Sequence, residues 1–205
     1  MNFKGGFSLF GLSATRKLFP ILFLSGFALP AQDKPVITDP VSIQIQMKNW
    51  KKAARELDQA EKNGRCKEAV CLALHARISE GNGDGTQALA YAHRVAALFG
   101  PESGLKAGDY NDVGVILYRR GPRDPETLKL AERALRQADA VHSTAAKAGA
   151  SNIRFNLATV LEAEGRTKEA KEIKDALNAS GILIDPQMEI LGDFQGPVQV
   201  RIPGK

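Results

Sequence analysis

The stretch from Asn156 to Ala170 constrains the fold more than any other part of the chain. Asn156-Leu157-Ala158 and Leu161 follow helical steps, Gly165 interrupts, and Thr167-Lys168-Glu169-Ala170 restarts a helical pattern. Apolar positions three and four apart lie on one side of a helix. A glycine between two such runs stops the first helix and lets the chain reverse. Small residues at Ala158 and Ala170 allow two helix backbones to approach closely. The segment reads as a helical hairpin, and two looser versions precede it, turning near Gly83 and Gly121.

The remaining apolar pattern extends this organisation. Met47, Trp50, Ala54 and Leu57 recur at three- and four-residue steps among Lys48, Lys51, Lys52, Arg55 and Glu56, which predicts an amphipathic helix ending at Asn63-Gly64. Trp50 lies on its inward face and is expected in the core. Residues 67–80 predict a helix with Val70, Cys71, Leu74 and Ile78 inward. After Gly81-Asn82-Gly83-Asp84-Gly85, residues 86–99 predict another, with Leu89, Ala92, Val95, Ala96 and Phe99 on one face. Gly100-Pro101 ends it. Asp109 is expected to cap a helix carrying Val113, Ile116 and Leu117. Asp124-Pro125-Glu126 is a start signal, with a cap, a proline in the first turn and an acid facing the helix dipole. Leu128, Ala131, Ala134, Leu135 and Ala138 form the buried stripe that follows. Ser151 and Thr167 are expected to cap the last two helices, which end near Ser180-Gly181.

Both ends of the chain differ from this pattern. Lys4, Arg16 and Lys17 are the only charges before Asp33, and the apolar run 18–24 leads into Ala28-Leu29-Pro30-Ala31. That order predicts a secretory signal over residues 1–31, with cleavage expected after Ala31 and no stable membrane span expected afterwards. Thr15-Arg16-Lys17-Leu18-Phe19 stands one residue away from a twin-arginine signal. Residues 32–41, with Pro35 and Pro40, read as an extended leader, and residues 42–181 as the helical domain. In residues 182–205, Met188 and Ile190 alternate with polar residues before the turn at 192–196. Val198, Val200 and Ile202 alternate after it, which predicts a small β-hairpin. Without residues 1–31 the chain keeps 25 basic and 23 acidic residues, a net charge of +2. So small an excess gives no reason to expect a nucleic-acid partner.

Chemistry is sparse. Cys66 and Cys71 are the only cysteines, and within one regular helix their Cα atoms would lie beyond the reach of a disulfide, about 7 Å. They pair if Cys66 lies in a non-helical entry after Asn63-Gly64, and otherwise stay as free buried thiols. The glycine-rich run at 80–85 resembles a calcium loop, but Tyr91 stands where the bidentate glutamate belongs, so Asp84 or Thr86 as a helix cap fits better. Ser103-Gly104-Leu105-Lys106 has S-x-x-K spacing without its companion motifs. His75, His93 and His142 fall on three separate helices and make no local ligand pair. Arg119, Arg120 and Arg123 cluster at a helix end, where cations favour the dipole and can also meet a carboxylate or phosphate. No cofactor, metal or catalytic set is expected.

In register, Val113-Gly114 and Leu157-Ala158 occupy large–small positions of the first helix of a hairpin, while Ala88 and Ala170 take the small position of the second. With glycine turns at a spacing of roughly 40 residues, this resembles the tetratricopeptide repeat family over residues 67–178. Departures are Arg154 and Lys174 where the family carries aromatics, and an insertion over 122–126. The resemblance implies an all-α, right-handed stack of antiparallel helical hairpins, a short solenoid whose first helices line a concave groove. Carried over by register, the groove residues are Arg77, Asn111, Val115, Tyr118, Arg119, Phe155, Thr159 and Glu162. Tyr118 and Phe155 would be apolar anchors, Arg77 and Arg119 would face carboxylates, and Asn111 would bond a peptide backbone. The expected function is an exported, non-enzymatic scaffold or adaptor binding a protein or peptide in the periplasm or cell envelope. Two alternatives stand beside it. One is an assembly element whose C-terminal strands add to a partner's sheet. The other is an enzyme using carboxylates such as Asp109, Asp112 and Glu162.

Overall fold

A computed structural model describes residues 40–143 and 150–180, all within one contact unit, Thr38–Lys205. The expected signal, the leader as far as residue 39 and the C-terminal β-hairpin lie outside the described residues. Among the described residues there are eight helices and no strand: α1 Pro40–Gln46, α2 Trp50–Lys62, α3 Glu68–Gly81, α4 Gly85–Ala97, α5 Ala107–Arg120, α6 Pro125–Ser143, α7 Ala150–Ala163 and α8 Thr167–Ala179. They pack as consecutive pairs, α1 with α2, α3 with α4, α5 with α6 and α7 with α8. The second helix of each pair also touches the first helix of the next. The first helices α3, α5 and α7 meet one another in turn.

The turns share one piece of backbone chemistry. At Gly64, Gly83 and Gly165 the backbone takes positive φ of 62°, 84° and 80°. Each of these N–H groups donates three residues back, to Glu61, Glu80 and Glu162, and the following N–H donates five residues back, to Ala60, Ser79 and Leu161. This is the bond pair that satisfies orphan carbonyls at a helix end. Lys48 makes the same pair after α1, donating to Ile45 while Asn49 donates to Gln44, at a φ of 54° without being glycine. The Gly121 turn differs. Its φ is −76°, and glycine is needed there for space, since a Cβ would stand 2.5 Å from both Leu117 O and Thr127 Cγ2.

Two apolar clusters hold the pairs together. The larger joins α3 to α8 through residues such as Ala73, Ala88, Val95, Val113, Ile116, Leu135, Leu161 and Ala170. The smaller joins Val41, Ile45, Ala53, Leu57, Cys71, Leu74 and Ile78. Helix α3 serves both, so it is apolar nearly all round. All five residues of the α6 stripe are buried. Trp50 packs against the smaller cluster, its indole lying where a Cβ on Gly81 would come within 2.5 Å.

Several local expectations change. Helix α1 begins at Pro40, which the sequence places in the leader. Proline suits a first helical position. The alternation Val41-Ile43-Ile45 has a strand-like period, yet only Val41 and Ile45, four apart, are buried. Met47 is 69% exposed in the turn rather than inward, because α2 starts only at Trp50. Asp109 is not the cap of α5. It sits at the third helical position and accepts from the Lys106 N–H at 2.8 Å. Ser151 lies inside α7, and Thr167 is the first residue of α8 after Arg166. Asp84 does cap α4, accepting from Gln87 N–H at 3.0 Å, and Asp124 accepts from the N–H groups of Glu126 and Thr127 at 3.0 and 2.8 Å.

The shared turn chemistry gives a paired test. A Cβ at residue 165 would meet nothing within 4 Å, so Gly165→Ala carries only the left-handed backbone penalty. It is expected to lower unfolding stability by about 1 kcal/mol. Lys48→Gly removes the same penalty and is expected to raise stability by a few tenths to about 1 kcal/mol. Urea unfolding at constant m-value measures both.

Candidate protein-interaction face

A polar chain runs through the first helices of three consecutive hairpins. Asn156 of α7 donates from Nδ2 to Oδ1 of Asn111 on α5 at 2.9 Å. Asn111 donates from Nδ2 to Asp112 Oδ1 at 3.4 Å, and Asp112 Oδ2 lies 3.2 Å from Nε of Arg77 on α3. Asn111 is fully buried and Asp112 and Asn156 nearly so, while Arg77 keeps 30% of its side chain in solvent. Buried amides and carboxylates hold such positions only when partnered. Asn111 has both its oxygen and its amide nitrogen engaged, so α5 and α7 are held in one register.

A second link joins α3 to the end of α5. Glu80, almost fully buried, receives Arg120 Nε at 3.0 and 2.9 Å on its two oxygens and Arg120 Nη2 at 2.8 Å. Arg119 approaches the same carboxylate at 3.9 Å. The hydrogen bonds that Arg120 donates to Glu80 raise the Arg120 pKa. The Arg120 stem lies against Gly85, where a Cβ would come within 3.0 Å of it.

The eight residues carried over by register do not all reach the surface. Asn111 and Val115 lie beneath it, at 0% and 1% exposure, so Asn111 is not free to bond a peptide. Tyr118 is half-buried with the guanidinium of Arg123 3.7 Å above its ring. Phe155 is half-buried, with Lys174 Nζ 5.7 Å from its ring centre. Thr159 bonds back to the Phe155 carbonyl at 3.0 Å, and exposed Glu162 accepts from Lys174 at 2.7 Å. Val115, Tyr118, Asn156, Thr159, Val160 and Leu135 border a crease of about 170 Å³, open solvent included, too narrow for a water molecule. Three of the eight thus meet at one place, between α5 and α7. Arg77 and Arg119 instead flank the α3–α5 seam.

The carboxylates of the enzyme alternative are engaged separately. Burial raises the Asp109 pKa against the hydrogen bond from the Lys106 backbone, but its oxygen serves the start of α5. Asp112 is buried against Arg77, and Glu162 pairs with Lys174. Ser103 of the S-x-x-K stretch exchanges a hydrogen bond with the Tyr110 hydroxyl at 3.1 Å and accepts from Leu105 N–H at 3.4 Å. It closes a turn. Asn156 and Glu80 are the residues that sequence periodicity passes over. Their only signal is a polar side chain at an inward position of an otherwise apolar helix. Arg120, one of the arginines clustered at the end of α5, does meet a carboxylate, that of Glu80.

Cys66 lies before the start of α3 and is disulfide-bonded to Cys71, with Cα atoms 5.8 Å apart. Neither family models, nor curated proteins, nor solved structures match this chain.

The polar chain makes its own test. Asn111→Ala strands the Asn156 amide and removes the bond to Asp112 Oδ1, and is expected to cost about 1–3 kcal/mol. Asn156→Ala removes one bond. In a double-mutant cycle the two changes should couple by about 0.5–3 kcal/mol. Simple additivity by chemical denaturation would mean the contact carries no energy.

Proposed function

We propose that this chain is an exported, non-enzymatic scaffold of tetratricopeptide-like hairpins that holds a protein or peptide partner against its first-helix face, in the periplasm or cell envelope. One observation carries the proposal. Helices α3, α5 and α7 are tied by buried polar bonds, and above them stands a rim of two half-buried aromatics, Tyr118 and Phe155, each with a cation over its ring. Aromatic rings and arginine are enriched in interface cores and binding hot spots, which Tyr118, Phe155, Arg119 and Arg123 match. Arg119, Arg123 and Lys174 outnumber the exposed acid among them, Glu162, so the favoured partner is a segment with an apolar anchor and acidic flanks or a terminal carboxylate.

Export rests on the order of residues 1–31. The Cys66–Cys71 disulfide supports it, since such bonds persist in oxidising compartments. The tetratricopeptide resemblance rests on the glycine turns, on Gly114, Ala158, Ala88 and Ala170 at close helix approaches, and on the repeated pairing of helices.

Cross-linking capture from envelope extract, with the full chain as bait, tests the face. Tyr118→Ala with Arg119→Ala is expected to leave helicity intact and to cut recovery of a specific partner about tenfold or more. Undiminished recovery would remove this face from the function. Loss on deleting residues 187–205 alone would move binding to the C-terminal segment.

A further inference from the structure

A group of side chains at the joint between α2 and α3 takes no part in the interaction face. Helix α2 carries Asp58 and Glu61 three residues apart, a spacing that sends both carboxylates to one side. Helix α3 brings His75 to them, and one donor atom from each of the three lies within 4.8 Å of the others. His75 Nε2 is 3.2 Å from Glu61 Oε2. Donors held at about 2.0–2.2 Å by one ion stand roughly 3 Å apart when adjacent. The His75–Glu61 spacing therefore already matches neighbours in a coordination shell.

An ordinary histidine–glutamate pair would explain that one distance. It does not explain Asp58, an exposed carboxylate turned to the same point. Among the described residues neither Asp58 nor Glu61 pairs with a lysine or arginine, although α2 carries Lys51, Lys52, Arg55 and Lys62. Two like charges beside each other without a cation repel, and a divalent ion relieves that repulsion.

The site is also held in shape. The His75 ring stacks on Tyr91 of α4, with centroids 5.0 Å apart and planes at 16°. Its side chain is only 18% exposed. Cys71 precedes His75 by one turn of α3, and its disulfide to Cys66 ties down the α2–α3 connection. Donors from two helices are thus set in register before any ion arrives, which lowers the ordering cost of binding.

We propose that Asp58, Glu61 and His75 bind a divalent transition-metal ion, with Zn²⁺ the best match. One imidazole nitrogen and two carboxylate oxygens suit a borderline ion better than Mg²⁺ or Ca²⁺, which favour all-oxygen sets. Three protein donors leave a position for water. The ion bridges α2 and α3, so binding stabilises the first hairpin on the rest of the stack by mass action.

The test is calorimetric titration of the untagged full chain with zinc chloride, without reductant so that the disulfide stays closed, alongside thermal unfolding at increasing zinc. One ion per chain and a rising Tm are expected. Asp58→Asn, Glu61→Gln and His75→Phe should each weaken binding about tenfold or more. His93→Phe, at an exposed position on α4, should leave it unchanged. His75→Phe keeps a ring against Tyr91, and Asp58 is exposed, so these variants report on ligation rather than folding. No saturable binding to the full chain overturns the proposal. Equal binding by all four variants overturns it too, because the ion would then be held elsewhere.

Discussion

The stack depends first on how closely two helix backbones can approach. At Gly114 a Cβ would stand 2.8 Å from Leu135 Cγ, 3.1 Å from the Ala131 carbonyl oxygen and 3.2 Å from Ala134 Cβ. Helices α5 and α6 meet there with almost no side chain between them. Fully buried Ala131 and Ala134 continue the contact on α6, and Ala88, Ala158 and Ala170 are buried in the neighbouring pairs. Small residues at these points set an interaxial distance short enough for the larger side chains on either side to interlock. Leucine at any of them would push a pair apart, and the error would carry into the next hairpin through the contacts of α4 with α5 and α6 with α7.

Apolar packing of this kind fixes distance better than register. The chain Asn156–Asn111–Asp112–Arg77 supplies register across the hairpins. A buried polar network contributes little net stability over a well-packed apolar one. A misaligned arrangement, however, leaves its members unpaired at a cost of about 1–3 kcal/mol each. The network penalises wrong alignments more than it rewards the right one. Glu80 does similar work between α3 and the end of α5, where Arg120 grips both carboxylate oxygens. The surface pairs of Arg136 and Arg166 with Glu132 and Glu169 tie α6 to the α7–α8 turn from outside, where water screens them.

What the sequence makes legible follows the range of each interaction. Turns after Gly83 and Gly165, the caps at Asp84 and Asp124 and the α6 stripe depend on neighbours within four or five residues, and all can be read in a line. Helix α1 cannot, because its apolar alternation matches a strand until Val41 and Ile45 find α2 and α3. Asp112 has the appearance of an early-helix acid, yet its partner lies 35 positions away at Arg77. The same applies to the face: register places Val115, Tyr118 and Thr159 near one another, and they do border one crease. Register alone does not separate the surface from the layer beneath, so Asn111 reads as exposed when it is wholly buried.

The Asp58–Glu61–His75 group is the extreme case of that limit. No short motif contains it, since the two carboxylates belong to one hairpin and the imidazole to the next. Local spacing searches of the three histidines find nothing because the ligand pattern exists only after α2 docks on α3. Docking there is assured by a separate set of contacts, Leu57 and Ala53 against Cys71, Leu74 and Ile78, with the disulfide at one end. The apolar seam thus determines the geometry of the polar group at its rim. A change that loosened the seam would disperse the three donors without touching any of them, which separates what builds the site from what the site binds.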